Sequence, residues 1–192
     1  MSWFPDLGTT TQVDRGDHVR AVGWLSAQQP FPVGAVPAEL LGRLWEFAGK
    51  SQASIDALGW GMAMGWHDCE LCNGCSGTRN FGVPHRELLF VAPEMLPHYV
   101  EVHRYQPPAE FMRALMESPL PGTDEYRALA APFRRLHEHY LERCERERLE
   151  HAACWVRDQG GSEQAIRQAS LRFFGDSSTD TYELIHRALT KG

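Results

Sequence analysis

Three cysteines within seven residues constrain this chain more than any other feature. The stretch Gly65-Trp66-His67-Asp68-Cys69-Glu70-Leu71-Cys72-Asn73-Gly74-Cys75 also sets a histidine two positions before the first thiol. His98-Tyr99-Val100-Glu101-Val102-His103 follows about two dozen residues later. Thiolates and imidazoles so spaced suit a transition metal, above all a zinc ion. A Cys-x-x-Cys step bent by a tight turn aims two sulfurs at one point, and Asn73-Gly74 offers that turn chemistry. His67 and Cys69 are two apart, so on an extended backbone they point the same way. His98 and His103 are five apart, about 140° out of phase at 3.6 residues per turn. They are not expected to share one ion unless the helix frays. The preferred ligand set is therefore His67, Cys69, Cys72 and His98, with His103 or Cys75 as replacements.

Other readings of the thiols remain. Cys69 and Cys72 as buried free thiols is one. A redox dithiol is another, but such pairs usually open a helix, and Asn73-Gly74 argues against one there. The Cys-x2-Cys-x2-Cys ladder is half of an iron–sulfur motif, yet the completing position holds Arg79. Cys144 and Cys154 fall on a predicted helix as packing residues. His137, His139 and His151 lie near the same charged helix and read as a solvated face.

With 192 residues the chain can bury a core without staples, so a metal here would fix a local region. Net charge is −6, and no Lys/Arg cluster stands free of acidic neighbours, which argues against nucleic acid as partner. No apolar run approaches 18 residues, so no membrane span is expected. The N-terminus lacks a basic segment followed by an apolar one. Five cysteines, three of them crowded, then read as reduced thiols and metal in a cytoplasmic protein.

The order of elements predicts an α+β fold, mostly helical: a small sheet with the Cys/His site packed against helices, plus a helical C-terminal extension. Residues 1–20 read as an irregular arm with room for one short strand, and Ala21–Leu25 as a strand. Pro37 opens a helix over about 37–48 with Leu40, Leu41, Leu44, Trp45 and Ala48 at 3–4 spacing. Residues 49–64 read as a loop, and Gly77–Gly82 as a turn. Glu87–Ala92 is apolar, short and closed by Pro93, which marks a strand. Pro93 also starts a helix carrying His98 and His103, and Pro108 opens the next. Thr123 before Asp124 and Glu125 caps a further helix. That helix is interrupted or restarted at Pro132. Phe133, Leu136, Tyr140, Cys144, Glu147, His151 and Trp155 then repeat at helical spacing up to Gly160-Gly161. Ser162 caps a helix ending near Gly175, and a last one spans about 179–190. These elements suggest a metal-binding domain over 1–120 and an extension over 121–192 packed on it. Dimerisation through the outer helices is a second use of the apolar stripe.

Trp24-Leu25, Pro30-Phe31-Pro32-x-Gly34, Val36-Pro37, Gly65-x-His67-x-Cys69-x-x-Cys72 and His98-Tyr99-Val100-x-x-His103-x-Tyr105-x-Pro107-Pro108-x-Glu110-Phe111 together resemble an uncharacterised family of small bacterial proteins. The resemblance covers roughly the first 60% of the chain. It implies a bacterial, cytoplasmic protein with a shared Cys/His centre, and no particular activity. Cys75 and the helices beyond about residue 120 are outside the pattern. Two functions follow. A structural zinc with four protein ligands would make a non-catalytic binding or adaptor module for a protein partner. Three ligands and a water would make a metal-dependent hydrolase, with Asp68, Glu70, Glu94 or Glu101 as base. The first is preferred, because no acid/base pair or substrate motif accompanies the cysteines.

Overall fold

The computed structural model describes residues 3–61, 66–72 and 74–190. Gly65, which opens the cysteine-rich stretch, and Asn73 of its expected turn lie outside them. In chain order the elements are β1 (Val19–Ala21), α1 (Ala38–Gly49), α2 (Ser51–Leu58), β2 (His67–Asp68), β3 (Ser76–Gly77), β4 (Asn80–His85) and β5 (Leu88–Pro93). Then come α3 (Leu96–His103), α4 (Ala109–Glu117), α5 (Asp124–Asp158), α6 (Glu163–Ala169), a π-helical stretch (Ser170–Phe174) and α7 (Thr179–Thr190). The fold is α+β and mostly helical, with the Cys/His group beside small sheets.

β5 is the middle strand of the larger sheet, ordered β1-β5-β4. It runs parallel to β1 and antiparallel to β4, with Val83 opposite Phe90. Leu89, Phe90, Val91 and Ala92 are all buried, as a strand covered on both faces requires. Phe111 of α4 meets Phe90 and Phe47 of α1 meets Phe81 of β4, while Leu58 of α2 lies beside Gly82 and Leu89. The buried row of α1 includes Phe47 and leaves Trp45 about half exposed. Of the apolar positions read as inward, Leu40, Leu44 and Ala48 are buried and Leu41 packs partly buried on the core, while Trp45 turns outward.

Two segments expected to be irregular are regular. Residues 51–58 form α2, whose buried face includes Ser51 and Ser54 beside Ile55 and Leu58. Serine gives no apolar periodicity, so the face is not visible in composition. Gly59 ends the helix in the left-handed conformation, with φ of 70°. Residues 80–85, partly read as a turn, form the edge strand β4 in spite of Gly82 and Pro84. Proline is tolerated at an edge because no neighbour needs its missing donor. Ser54 and Tyr126 close that edge. Ser54 Oγ accepts from Gly82 N–H at 2.9 Å, and Tyr126 O–H donates to the Gly82 carbonyl at 2.8 Å.

Thr123 caps α5 by accepting from Tyr126 N–H at 3.2 Å, and the helix continues unbroken through Pro132 for 35 residues. The chain divides into two compact units, residues 1–138 and 139–192. Tyr126, Ala130 and Phe133 belong to the core of the first unit. His137 does too: it is buried against Asp14 and is no part of a solvated histidine face. The second unit has its own core of Ala152, Val156, Ala165, Ile166, Ala169 and Ile185, with Trp155 and Phe173 packed on it. No helix among the described residues is long and apolar enough to cross a membrane.

Candidate metal centre

β2 and β3 form a short antiparallel hairpin, with His67 opposite Gly77 and Asp68 opposite Ser76. Cys69 N–H donates to the Cys75 carbonyl at 2.8 Å and extends that ladder by one rung. The hairpin loop therefore starts at Cys69 and carries Cys72 at its turn. Gly74 N–H points at Cys72 Sγ from 3.4 Å. The two sulfurs lie 3.6 Å apart. Cys69 is fully buried, whereas Cys72 is exposed.

The imidazoles come from α3. His98 Nε2 is 3.4 Å from Cys72 Sγ, and His103 Nε2 is 3.3 Å from Cys69 Sγ. Donor atoms of Cys69, Cys72, His98 and His103 all lie within 4.8 Å of one another. This Cys2His2-like cluster can hold a metal ion. The two histidine rings, expected to diverge, approach to 5.0 Å between centroids. The end of α3 explains the convergence. Arg104 N–H reaches back five residues to the Tyr99 carbonyl, and Tyr105 N–H reaches the same oxygen at 3.0 Å. Such a turn holds more residues than an α-turn, so position 103 comes round towards 98. Arg104 closes it with φ of 55°, a left-handed conformation that few non-glycine residues adopt.

His67 stands outside the four-donor cluster. Its Nε2 is bonded to Gln12 Oε1 at 2.9 Å, and its ring meets the edge of Trp24. The i,i+2 relation with Cys69 is real, but the imidazole nitrogen is held by the N-terminal arm. Cys75 packs partly buried against the core, with its sulfur near the Ser76 carbonyl. Cys154 is exposed in the second unit and Cys144 half-buried.

Burial shifts the protonation of His98 and Cys69. It holds the His98 pKa below the usual imidazole value, and the neighbouring His103 lowers it further. Both influences favour the neutral imidazole, the form whose lone pair a metal can take. Burial also lowers the pKa of His67. Burial raises the Cys69 thiol, although the amides of Leu71 and Cys72 act to lower it. Two carboxylates tie the hairpin to its surroundings. Glu70 Oε2 accepts from Ser26 Oγ at 2.9 Å and from Ala27 N–H at 3.1 Å. Glu94 Oε1 accepts from Thr78 N–H at 2.5 Å and from Arg79 N–H at 3.0 Å. Two of the four acids considered as general bases, Glu70 and Glu94, are thus engaged in backbone bonds.

Residues 2–116 match the family described as Domain of unknown function (DUF7919). The chain belongs to that family. The DUF7919 match contains all four donors and ends within α4, before α5 begins. No curated protein and no solved structure matches the chain.

Proposed function

We propose that the chain is a zinc protein whose ion is structural, held by Cys69, Cys72, His98 and His103. The observation that carries this reading is the count of donors: four protein atoms converge, enough to close a tetrahedral sphere and leave no site for water. Zinc–sulfur bonds of about 2.3 Å and zinc–nitrogen bonds of about 2.0 Å set tetrahedral edges of roughly 3.3–3.8 Å. The three separations of 3.3, 3.4 and 3.6 Å fall in that range. Relative to the set with His67, His103 enters because its nitrogen faces Cys69 while that of His67 faces Gln12.

In this reading the ion pins the hairpin to α3, and the module serves as a binding or adaptor protein in a bacterial cytoplasm. A net charge of −6 favours a protein partner over nucleic acid. The competing hydrolase reading needs one of the four donors to yield its place to water. Cobalt substitution tests the two readings. A tetrahedral S2N2 spectrum, unchanged by added anions, supports the structural ion. A five-coordinate or anion-sensitive spectrum supports an open, catalytic site.

A further inference from the structure

Glu94 sits between the two parts of the centre in sequence and in space. It follows β5 directly and precedes His98 by four residues. Its carboxylate accepts from two successive amides, Thr78 and Arg79, at 2.5 and 3.0 Å. Its own N–H donates to the Arg79 carbonyl at 2.9 Å. Three bonds from one residue therefore hold the strand that leaves the thiol hairpin. That strand cannot shift without carrying β2 and Cys69, because β3 pairs with β2 in register. Gly77 is fitted to this contact. A Cβ there would lie 2.9 Å from both Glu94 Cγ and Oε1, and 3.0 Å from Met95 Cγ.

We propose that Glu94 is a positioning residue for the metal centre, setting the register of the Cys69/Cys72 hairpin against the His98/His103 helix. The proposal rests on the metal-binding reading above. The thiols and imidazoles come from separate elements, and separations of 3.3 and 3.4 Å between them leave little tolerance for a slip. Groups that hold ligands in place, without touching the ion, commonly matter 10–100-fold for affinity. The role is one of geometry rather than charge, since both carboxylate bonds on Oε1 come from backbone amides that an amide oxygen accepts equally.

Zinc affinity of the full chain, measured by competition with a chromophoric chelator, tests this together with the melting temperature of the zinc-free proteins. Glu94→Ala weakens zinc binding about 10–100-fold, whereas Glu94→Gln stays within about threefold of wild type. Gly77→Ala weakens it as well, by pushing the Glu94 side chain aside. The zinc-free melting temperatures of the variants remain within about 4 °C of wild type, as expected for partly exposed bonds. Unchanged affinity in Glu94→Ala overturns the proposal. So does a Gln variant as weak as the Ala variant, which would make the charge the cause. A collapse of zinc-free stability in both Glu94→Ala and Gly77→Ala would make the role one of general folding, and would also overturn it. Wild-type protein that binds no zinc is a different result: it removes the metal reading itself.

Discussion

Asp14 carries its carboxylate into the first unit with two histidines against it. Its Oδ1 lies 3.3 Å from His137 Nδ1 and accepts from Arg15 N–H at 2.9 Å, and its Oδ2 lies 3.8 Å from His18 Nε2. Burial, the largest influence, pushes its pKa up, but the two neighbouring imidazoles outweigh it and bring the value from 3.8 down to about 2. A depressed carboxyl pKa stabilises the fold above the unfolded value, and that stability is lost as pH falls through the folded one. Zinc-free wild type should therefore lose stability between about pH 4 and pH 2 more steeply than Asp14→Asn. Urea midpoints across that range check this, and a wild type–variant gap independent of pH would contradict it. At neutral pH, Asp14→Ala should cost about 1–3 kcal/mol, because it strips buried His137 and half-buried His18 of a carboxylate neighbour. Little of this was legible in sequence, where His137 read as one of three surface histidines. The metal donors were more legible. Cys69, Cys72 and His98 follow from spacing alone. His103 does not, because its approach to His98 depends on a widened helix end closed by left-handed Arg104, and arginine gives no sign of that conformation.

At the scale of elements, the edge of β4 shows why serines and glycines mislead a reading by apolar period. Ser54 and Tyr126 satisfy both backbone groups of Gly82, and their own oxygens are 2.7 Å apart. The helix that brings Ser54 looks like a loop in sequence, and the strand that it covers looks like a turn. β5, by contrast, is legible throughout, because every residue in its middle is apolar. Tyr126→Phe should cost about 1–3 kcal/mol, since it leaves the Gly82 carbonyl buried without that donor. Gly82→Ala should cost a similar roughly 1–3 kcal/mol by overpacking. A Cβ there would come within 2.5 Å of Leu58 Cδ1 and 3.0 Å of Leu89 Cδ1. Chemical denaturation with an unchanged m-value checks both, and wild-type stability in either would show that the edge is not closed in this way. The hairpin responds to a different agent. If the proposed zinc holds the hairpin, removing it should raise amide exchange over residues 67–72 and 74–79 and at the start of α3, and leave α1 protected, because the β1-β5-β4 core has its own buried residues. Loss of protection in α1 would show that the ion carries the whole fold.

On the scale of the whole chain, the two compact units meet inside α5, at residues 138 and 139. The stretch Arg135-Leu136-His137-Glu138-His139-Tyr140-Leu141-Glu142 holds no proline or glycine to mark such a point. The consequence can be tested by truncation. A chain of residues 1–138 should fold, because it keeps Tyr126, Ala130, Phe133 and the Asp14–His137 contact. A chain of 1–120 loses all of them and should be poorly folded, as circular dichroism and melting would show. Equal stability of the two truncations would mean that the start of α5 adds nothing to the first core. The first unit also contains the family match and all four residues of the candidate metal centre. The most direct test of the central claim is therefore the zinc content of the full chain and its single variants by native mass spectrometry. The account predicts about one zinc per chain in wild type and in His67→Ala, and loss of most of it in Cys69→Ser, Cys72→Ser, His98→Ala and His103→Ala. Metal-free wild type, or zinc lost from His67→Ala and kept in His103→Ala, would contradict it.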